Sequence, residues 1–192
     1  VVVATLRALK LHGGGGVARA GAPLPIGLTG PNMPALEKGF ANLEQHIANA
    51  RAHGIPVVVA VNAFKDDVPA ELEWVRNRSR EVGAIDAAVS THWVDGGRGA
   101  EQLAHAVVRA VEQPANFTHL YDVNWPIRKK IETIATKMYG AAGASFEATA
   151  DRQIDAAESL GFGRLPVCMA KTPLSLSHDS TFKGRPTGFT VP

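Results

Sequence analysis

Two aromatic residues leave apolar strands of this chain at positions where a flat ligand could be gripped. Phe64 follows the run Val57–Asn62 in "VVVAVNAFKDD", and Trp93 lies three residues beyond Ser90 in "VSTHWVDGG". If the two strands are parallel neighbours, their carboxyl ends form one rim, and open α/β sheets bind ligands at that rim. Two rings there could sandwich a pterin-like or purine-like heterocycle, with stacking and area burial worth on the order of one to a few kcal/mol. The competing reading packs each ring onto an adjacent helix as a satellite of the core. Spacing alone leaves both open.

Polar residues cluster at the same kind of position. Asn62 and Asp66 form Asn-x-x-x-Asp after a strand, one residue longer than the base-reading Asn-Lys-x-Asp of many phosphate-loop nucleotidases. The Asn62 amide could read an adenine edge, or it could cap the turn through its own backbone. In "VDGGRGAEQLAHAV", Gly96, Gly97 and Gly99 precede a helix, and Arg98 adds positive charge where helix N–H groups could receive an anion. The same glycines could instead permit a tight strand-to-helix turn. In "LPVCMAKTPLSLSHD" a strand runs into Lys171 and Thr172, with Ser175 and Ser177 beyond; a solvated lysine is the alternative there. Cys168 reads as a small buried hydrophobe. The run "HGGGGVARAG" lacks the Gly-Lys-Ser/Thr of a phosphate loop and reads as a flexible linker. The seven histidines show no metal-ligand spacing, and His46 and His53 fall on a solvated helix face. No residue of the chain is singled out as catalytic, and no metal ligand is assigned.

The elements that must position these residues follow from periodicity. Apolar, β-branched runs predict buried strands at 1–5, 55–62, 84–90 and 165–171. Between them, apolar residues at helical spacing predict helices over 35–53 (Leu36, Phe40, Leu43, Ile47), 69–82 and 100–112. Strand and helix alternate, and the strands are continuously apolar. That pattern predicts an α/β fold with an open, mainly parallel, doubly wound sheet. After Pro114 two helices in succession, 126–139 and 146–160, form a helical insert before the strand at Leu165. The expected division is therefore 1–113, an α/β segment carrying the rim, and 114–192, a helical pair followed by a further strand and a polar loop. Residues 13–34, with seven glycines and prolines at 23, 25, 31 and 34, predict a long irregular loop.

Composition narrows the class. Of 192 residues, 45% are hydrophobic and 20% charged, the balance of a folded globular protein. Twenty basic and 18 acidic residues are interspersed, so no basic stripe favours nucleic acid. A single cysteine excludes an internal disulfide framework, no apolar run reaches membrane-spanning length, and a reducing cytoplasmic setting fits. The chain opens on an apolar strand and closes mid-pattern, so both ends are expected to be cut edges of a longer protein.

At the level of whole strings, "VVVATLRALKLHGG", "LEKGFANLEQHI", "GIPVVVAVNAFKDD", "THWVDGGRG", "LYDVNWPIRKKIETIATKMYGA", "GFGRLPVCMAKTPLSLSHD" and "GRPTGF" resemble formate–tetrahydrofolate ligase, or 10-formyltetrahydrofolate synthetase. The likeness runs end to end in the same order, and it is strongest to the ligase portion of trifunctional one-carbon folate synthases. It implies a fold related to phosphate-loop NTPases and a cytoplasmic, homo-oligomeric enzyme using ATP, Mg²⁺ and a monovalent cation (K⁺ or NH₄⁺). Such an enzyme converts formate to formyl phosphate and passes the formyl group to tetrahydrofolate. The resemblance also implies that Phe64 and Trp93 hold the pterin and that Asn62 neighbours the adenine. It places the phosphate loop and the formyl-phosphate residues outside this chain, so the segment alone is expected to be inactive. Lys65 departs from the Pro often found there in bacterial relatives, and the 13–30 loop is longer than theirs. A nucleotide-dependent switch or partitioning protein of related fold is the alternative class, and a noncatalytic interaction fragment a third.

Overall fold

The computed structural model of the chain describes residues 1–169 and 176–192. These form two compact units, Val1–Phe117 and Thr118–Pro192.

In the first unit, strand β1 (Val2–Ala4) leads into helix α1 (Leu6–His12), a short helix α2 (Ile26–Thr29) and the long helix α3 (Met33–Arg51). Strand β2 (Val58–Asn62), helix α4 (Pro69–Glu81), strand β3 (Asp86–Ser90), the short helix α5 (His92–Asp95) and helix α6 (Glu101–Val111) follow. The three strands are parallel in the order β1-β2-β3, with Val2 opposite Val59 and Asn62 opposite Ser90. The continuous apolar run of β2 is explained by burial on both faces. Val59 and Val61 join Leu36, Phe40, Leu43, Ile47 and Val75 on one side, while Val58 meets Ala106 and Ala110 of α6 on the other. Each such aliphatic side chain contributes about 1.5–3 kcal/mol on burial, so helices on both faces are what make an all-apolar strand stable. Trp74 of α4 closes the larger side edge-on against Phe40, with ring centroids 5.4 Å apart.

The amino-terminal half differs from expectation at α1. The predicted strand over 1–5 stops at Ala4 because Thr5 caps a helix, its Oγ1 accepting from the Ala8 N–H at 3.2 Å. Within the expected loop of 13–34, α2 forms and Asn32 caps α3, accepting from the Ala35 N–H. The glycines here serve close packing: a Cβ on Gly39 would lie 1.7 Å from the Leu9 carbonyl oxygen, and one on Gly13 would lie 1.7 Å from that of Ala35. Only glycine lets α1 and α3 touch backbone to backbone.

In the second unit, helices α7 (Ile127–Lys137) and α8 (Ala148–Ser159) are joined by Arg128, which bonds Asp151 and Asp155 at 2.9 Å each. A two-stranded parallel ladder pairs β4 (Gly143–Ala144) with β5 (Thr190–Val191), beside a small core of Ala135, Ala141 and Phe189. The strand predicted at 165–171 does not form over Leu165–Met169. There the backbone groups go to side chains instead of a ladder: the Leu165 carbonyl accepts from Lys130 Nζ at 3.0 Å, and the Val167 N–H donates to Tyr121 Oη at 2.8 Å. Cys168, expected inside, is exposed. Ala170 and Lys171, the last residues of that predicted strand, lie outside the described residues.

Candidate functional site

The three parallel strands deliver three loops to one edge of the first unit. β1 gives way to α1, β2 to the turn bearing Phe64, and β3 to α5 bearing Trp93.

The turn after β2 explains why acids surround an exposed ring. Asp67 folds back on Phe64: its Oδ2 accepts from the Phe64 N–H at 2.9 Å, while its own N–H donates to the Phe64 carbonyl at 3.0 Å. Lys65 and Asp66 sit exposed at the tip. Phe64 remains 36% exposed, and the guanidinium of Arg7, from the first turn of α1, lies 3.7 Å from its ring centroid. Asn62 does not cap this turn, since its Oδ1 is buried and accepts no hydrogen bond among the described residues. The turn is closed by Asp67 instead.

After β3, the segment between the predicted strand and helix forms a helical turn, α5. Thr91 ties it down twice, its Oγ1 donating to Asp95 Oδ2 at 2.7 Å and its N–H donating to the Gly99 carbonyl at 3.0 Å. Gly99 is required by that closure, because a Cβ there would lie 2.5 Å from the Thr91 carbonyl carbon. Trp93, on the outside of the closed turn, is 83% exposed. An indole this bare offers a full aromatic face on which a flat ligand could stack. Gly96 adopts φ +59° at the end of α5, and Cβ atoms on Gly96 or Gly97 would meet nothing within 4 Å, so the surface next to Trp93 is open. Helix α6 begins at Glu101, whose acidic side chain stands in its first turn. Ser90 Oγ and His92 Nδ1 are 3.1 Å apart beneath the turn.

The structure thus brings Asn62, Phe64, Trp93, Gly96 and Gly97 to the carboxyl edge of neighbouring strands. Lys171, Thr172 and Ser175 lie outside the described residues, and Ser177 is buried in the second unit, where its Oγ accepts from the Asp179 N–H at 3.0 Å. His46 is half-buried rather than solvated, and burial pushes its imidazole below the ordinary histidine value.

Two residues escaped the sequence reading. Arg7 follows β1 as Phe64 follows β2, so the logic that placed one on the rim would have found the other. Lys10 shares a helix face with Leu6 at i+4, which is the signal that it points inward. It is fully buried: its Nζ donates to the Gly30 carbonyl at 2.7 Å and pairs with Glu71 Oε2 at 2.7 Å. The other oxygen of Glu71 accepts from the Asn32 N–H at 2.6 Å. This pair ties α1, the segment ending in Asn32 and the start of α4 together.

A family model for formate–tetrahydrofolate ligase matches residues 1–192. Over all 192 residues the chain is 53% identical to the cytoplasmic C-1-tetrahydrofolate synthase of Pongo abelii and 52% identical to that of Homo sapiens, spanning 20% of each. It is 52% identical to the formate–tetrahydrofolate ligase of Desulforamulus reducens, of which it spans 34%. With the match running through the rim, both helical layers and the second unit, the chain belongs to the formate–tetrahydrofolate ligase family.

Proposed function

We propose that this chain forms the folate-binding wall of an ATP-dependent formate–tetrahydrofolate ligase. In that reaction formate takes the terminal phosphoryl group of ATP, giving formyl phosphate and ADP. The amine at position 10 of tetrahydrofolate then attacks the formyl carbon, phosphate leaves and the nitrogen gives up its proton. The chain's part is positioning, since fixing the pterin between two rings holds the amine against the acyl phosphate and converts an encounter into a local step.

The observation that carries this reading is the pair of rings on adjacent strand ends, Phe64 two residues beyond Asn62 and Trp93 three beyond Ser90, with Asn62 and Ser90 directly paired. The open surface over Gly96 and Gly97 leaves room for a ligand beside Trp93. The unbonded Oδ1 of Asn62 is an acceptor suited to an exocyclic amine, consistent with an adenine neighbour. Three parallel strands with helices on both faces suit part of a larger sheet of the phosphate-loop NTPase kind.

The glycine-rich stretch after α1 does not fit a phosphate cradle, because Gly13 is consumed in helix packing and no Gly-Lys-Ser/Thr follows. Among the described residues no group of three or more His, Cys, Asp or Glu side chains is placed to hold a metal ion; Mg²⁺ and a monovalent cation, K⁺ or NH₄⁺, are taken from the family resemblance. Likeness to relatives named cytoplasmic supports a cytoplasmic enzyme, and the family resemblance supports a homo-oligomer. The switch or partitioning reading has no support, since the ligase match covers every residue.

The test is Trp93→Ala in the full-length enzyme. Loss of one stacked ring, about 1.4 kcal/mol, raises the KM for tetrahydrofolate roughly tenfold. Unchanged folate kinetics remove Trp93 from the site.

A further inference from the structure

We propose that Arg7 is a positioning residue of the folate wall, its guanidinium covering one face of Phe64 so that the ring offers only its opposite face to the pterin. This rests on the folate role proposed for Phe64 and extends it to a residue that does not itself touch the ligand.

Three features carry the inference. The Arg7 Cζ lies 3.7 Å from the Phe64 ring centroid, which is van der Waals contact between two flat groups. Among the described residues Arg7 has neither a carboxylate nor a hydrogen-bond partner, and its Nε is buried without one. A half-buried guanidinium is ordinarily found in an ion pair, so this one is held by the ring and by its helix rather than by an opposite charge. Finally, its helix is fixed from behind. Lys10, one turn further along α1, is locked to Glu71 and the Gly30 carbonyl, so Arg7 projects from a rigid support while Phe64 sits on a four-residue turn.

The consequence is chemical as well as steric. A phenylalanine on a short exposed turn has two faces and rotamer freedom, and both dilute its use as a stacking wall. A cation on one face removes that choice before ligand arrives, so less ordering remains to be done on binding. Lysine in place of Arg7 keeps the charge but loses the planar contact.

The experiment is a double-mutant cycle in the full-length enzyme, using Arg7→Met, Phe64→Ala and the combined variant, with Arg7→Lys alongside. Steady-state constants are measured for all three substrates, and thermal unfolding midpoints for each protein. Arg7→Met is expected to raise the KM for tetrahydrofolate about fivefold while kcat and the constants for ATP and formate stay within about twofold. Arg7→Lys falls between wild type and Arg7→Met. In the Phe64→Ala background, Arg7→Met adds less than about twofold. The proposal is overturned if Arg7→Met leaves the folate constant unchanged, if its effect persists undiminished without Phe64, or if the ATP constant rises in parallel. Should Arg7→Met unfold, Arg7→Lys and Arg7→Gln carry the same cycle. If Phe64→Ala alone does not move the folate constant, the folate reading of Phe64 fails first, an outcome distinct from additivity between the two sites.

Discussion

The buried pair of Lys10 and Glu71 makes the sharpest claim about what holds the rim in place. Both side chains are almost wholly inaccessible, 0% and 3% exposed, and between them they make three close polar contacts: with each other, with the Gly30 carbonyl and with the Asn32 N–H. Glu71→Gln leaves an ammonium buried without its counter-charge, and Lys10→Met leaves a buried carboxylate, so each single substitution costs about 3–5 kcal/mol. The double variant Lys10→Met/Glu71→Gln removes both charges. Its glutamine still accepts from the Asn32 N–H, but the Gly30 carbonyl loses its donor and the new amide NH2 faces methionine without an acceptor, together about 2 kcal/mol. The double variant is therefore more stable than either single by roughly 1–3 kcal/mol. Thermal unfolding of the full-length protein, with hydrogen exchange of the amides over 26–32 and 68–72, reads both quantities. Single variants within about 1 kcal/mol of wild type, or a double variant no better than the worse single, refute the claim that the two charges depend on each other.

Other consequences are equally direct. For Asp86, burial pushes the carboxyl up, but hydrogen bonds from Arg109 and Arg80 and the Ala87 N–H outweigh it and bring it from 3.8 down to about 2. A depressed carboxylate contributes stability that is present above about pH 4 and is lost as pH falls towards 2. At face value the shift is worth about 2 kcal/mol, but both arginines are solvated, so Asp86→Asn is expected to cost about 1 kcal/mol at pH 7. Unfolding midpoints of the two proteins should converge near pH 2, and a pH-independent difference argues against the ion pairs as the source. Gly39→Ala would put a methyl 1.7 Å from the Leu9 carbonyl oxygen, which forces α1 away from α3 and costs about 3 kcal/mol or more. A Gly39→Ala protein with wild-type unfolding behaviour would show that the two helices have room to separate.

Much of the first unit was legible because its signals are local. The run Val57–Val61 is apolar at every position, and Leu36, Phe40, Leu43 and Ile47 recur at helical spacing; both patterns state which faces are buried without reference to anything distant. Phe64 and Trp93 could be placed on one rim for the same reason, since two parallel strands put their carboxyl ends together whatever their register. The errors arose where a side chain replaced the expected backbone partner. Leu165–Met169 has the composition of a strand, yet Lys130 and Tyr121, 35 and 46 residues away in sequence, take up its backbone groups. Helix α1 was missed because seven residues give too short a period to read, and its cap, Thr5, looks like the end of a strand.

By itself the amino-acid order determined the alternation of strand and helix, the parallel sheet, the aromatic edge and, through whole strings of residues, the family. It did so because hydrophobic periodicity and strand direction are properties of contiguous segments. Tertiary structure alone decided which charges are buried and which face of Phe64 is covered. Lys10 meets Glu71 across 61 positions, and Arg7 meets Phe64 across 57, contacts that exist only once β1 and β2 lie side by side. Local spacing turns Lys10 inward and sets Arg7 after β1, but it names no partner for either, because Glu71 on α4 and Phe64 on the turn after β2 lie far along the chain.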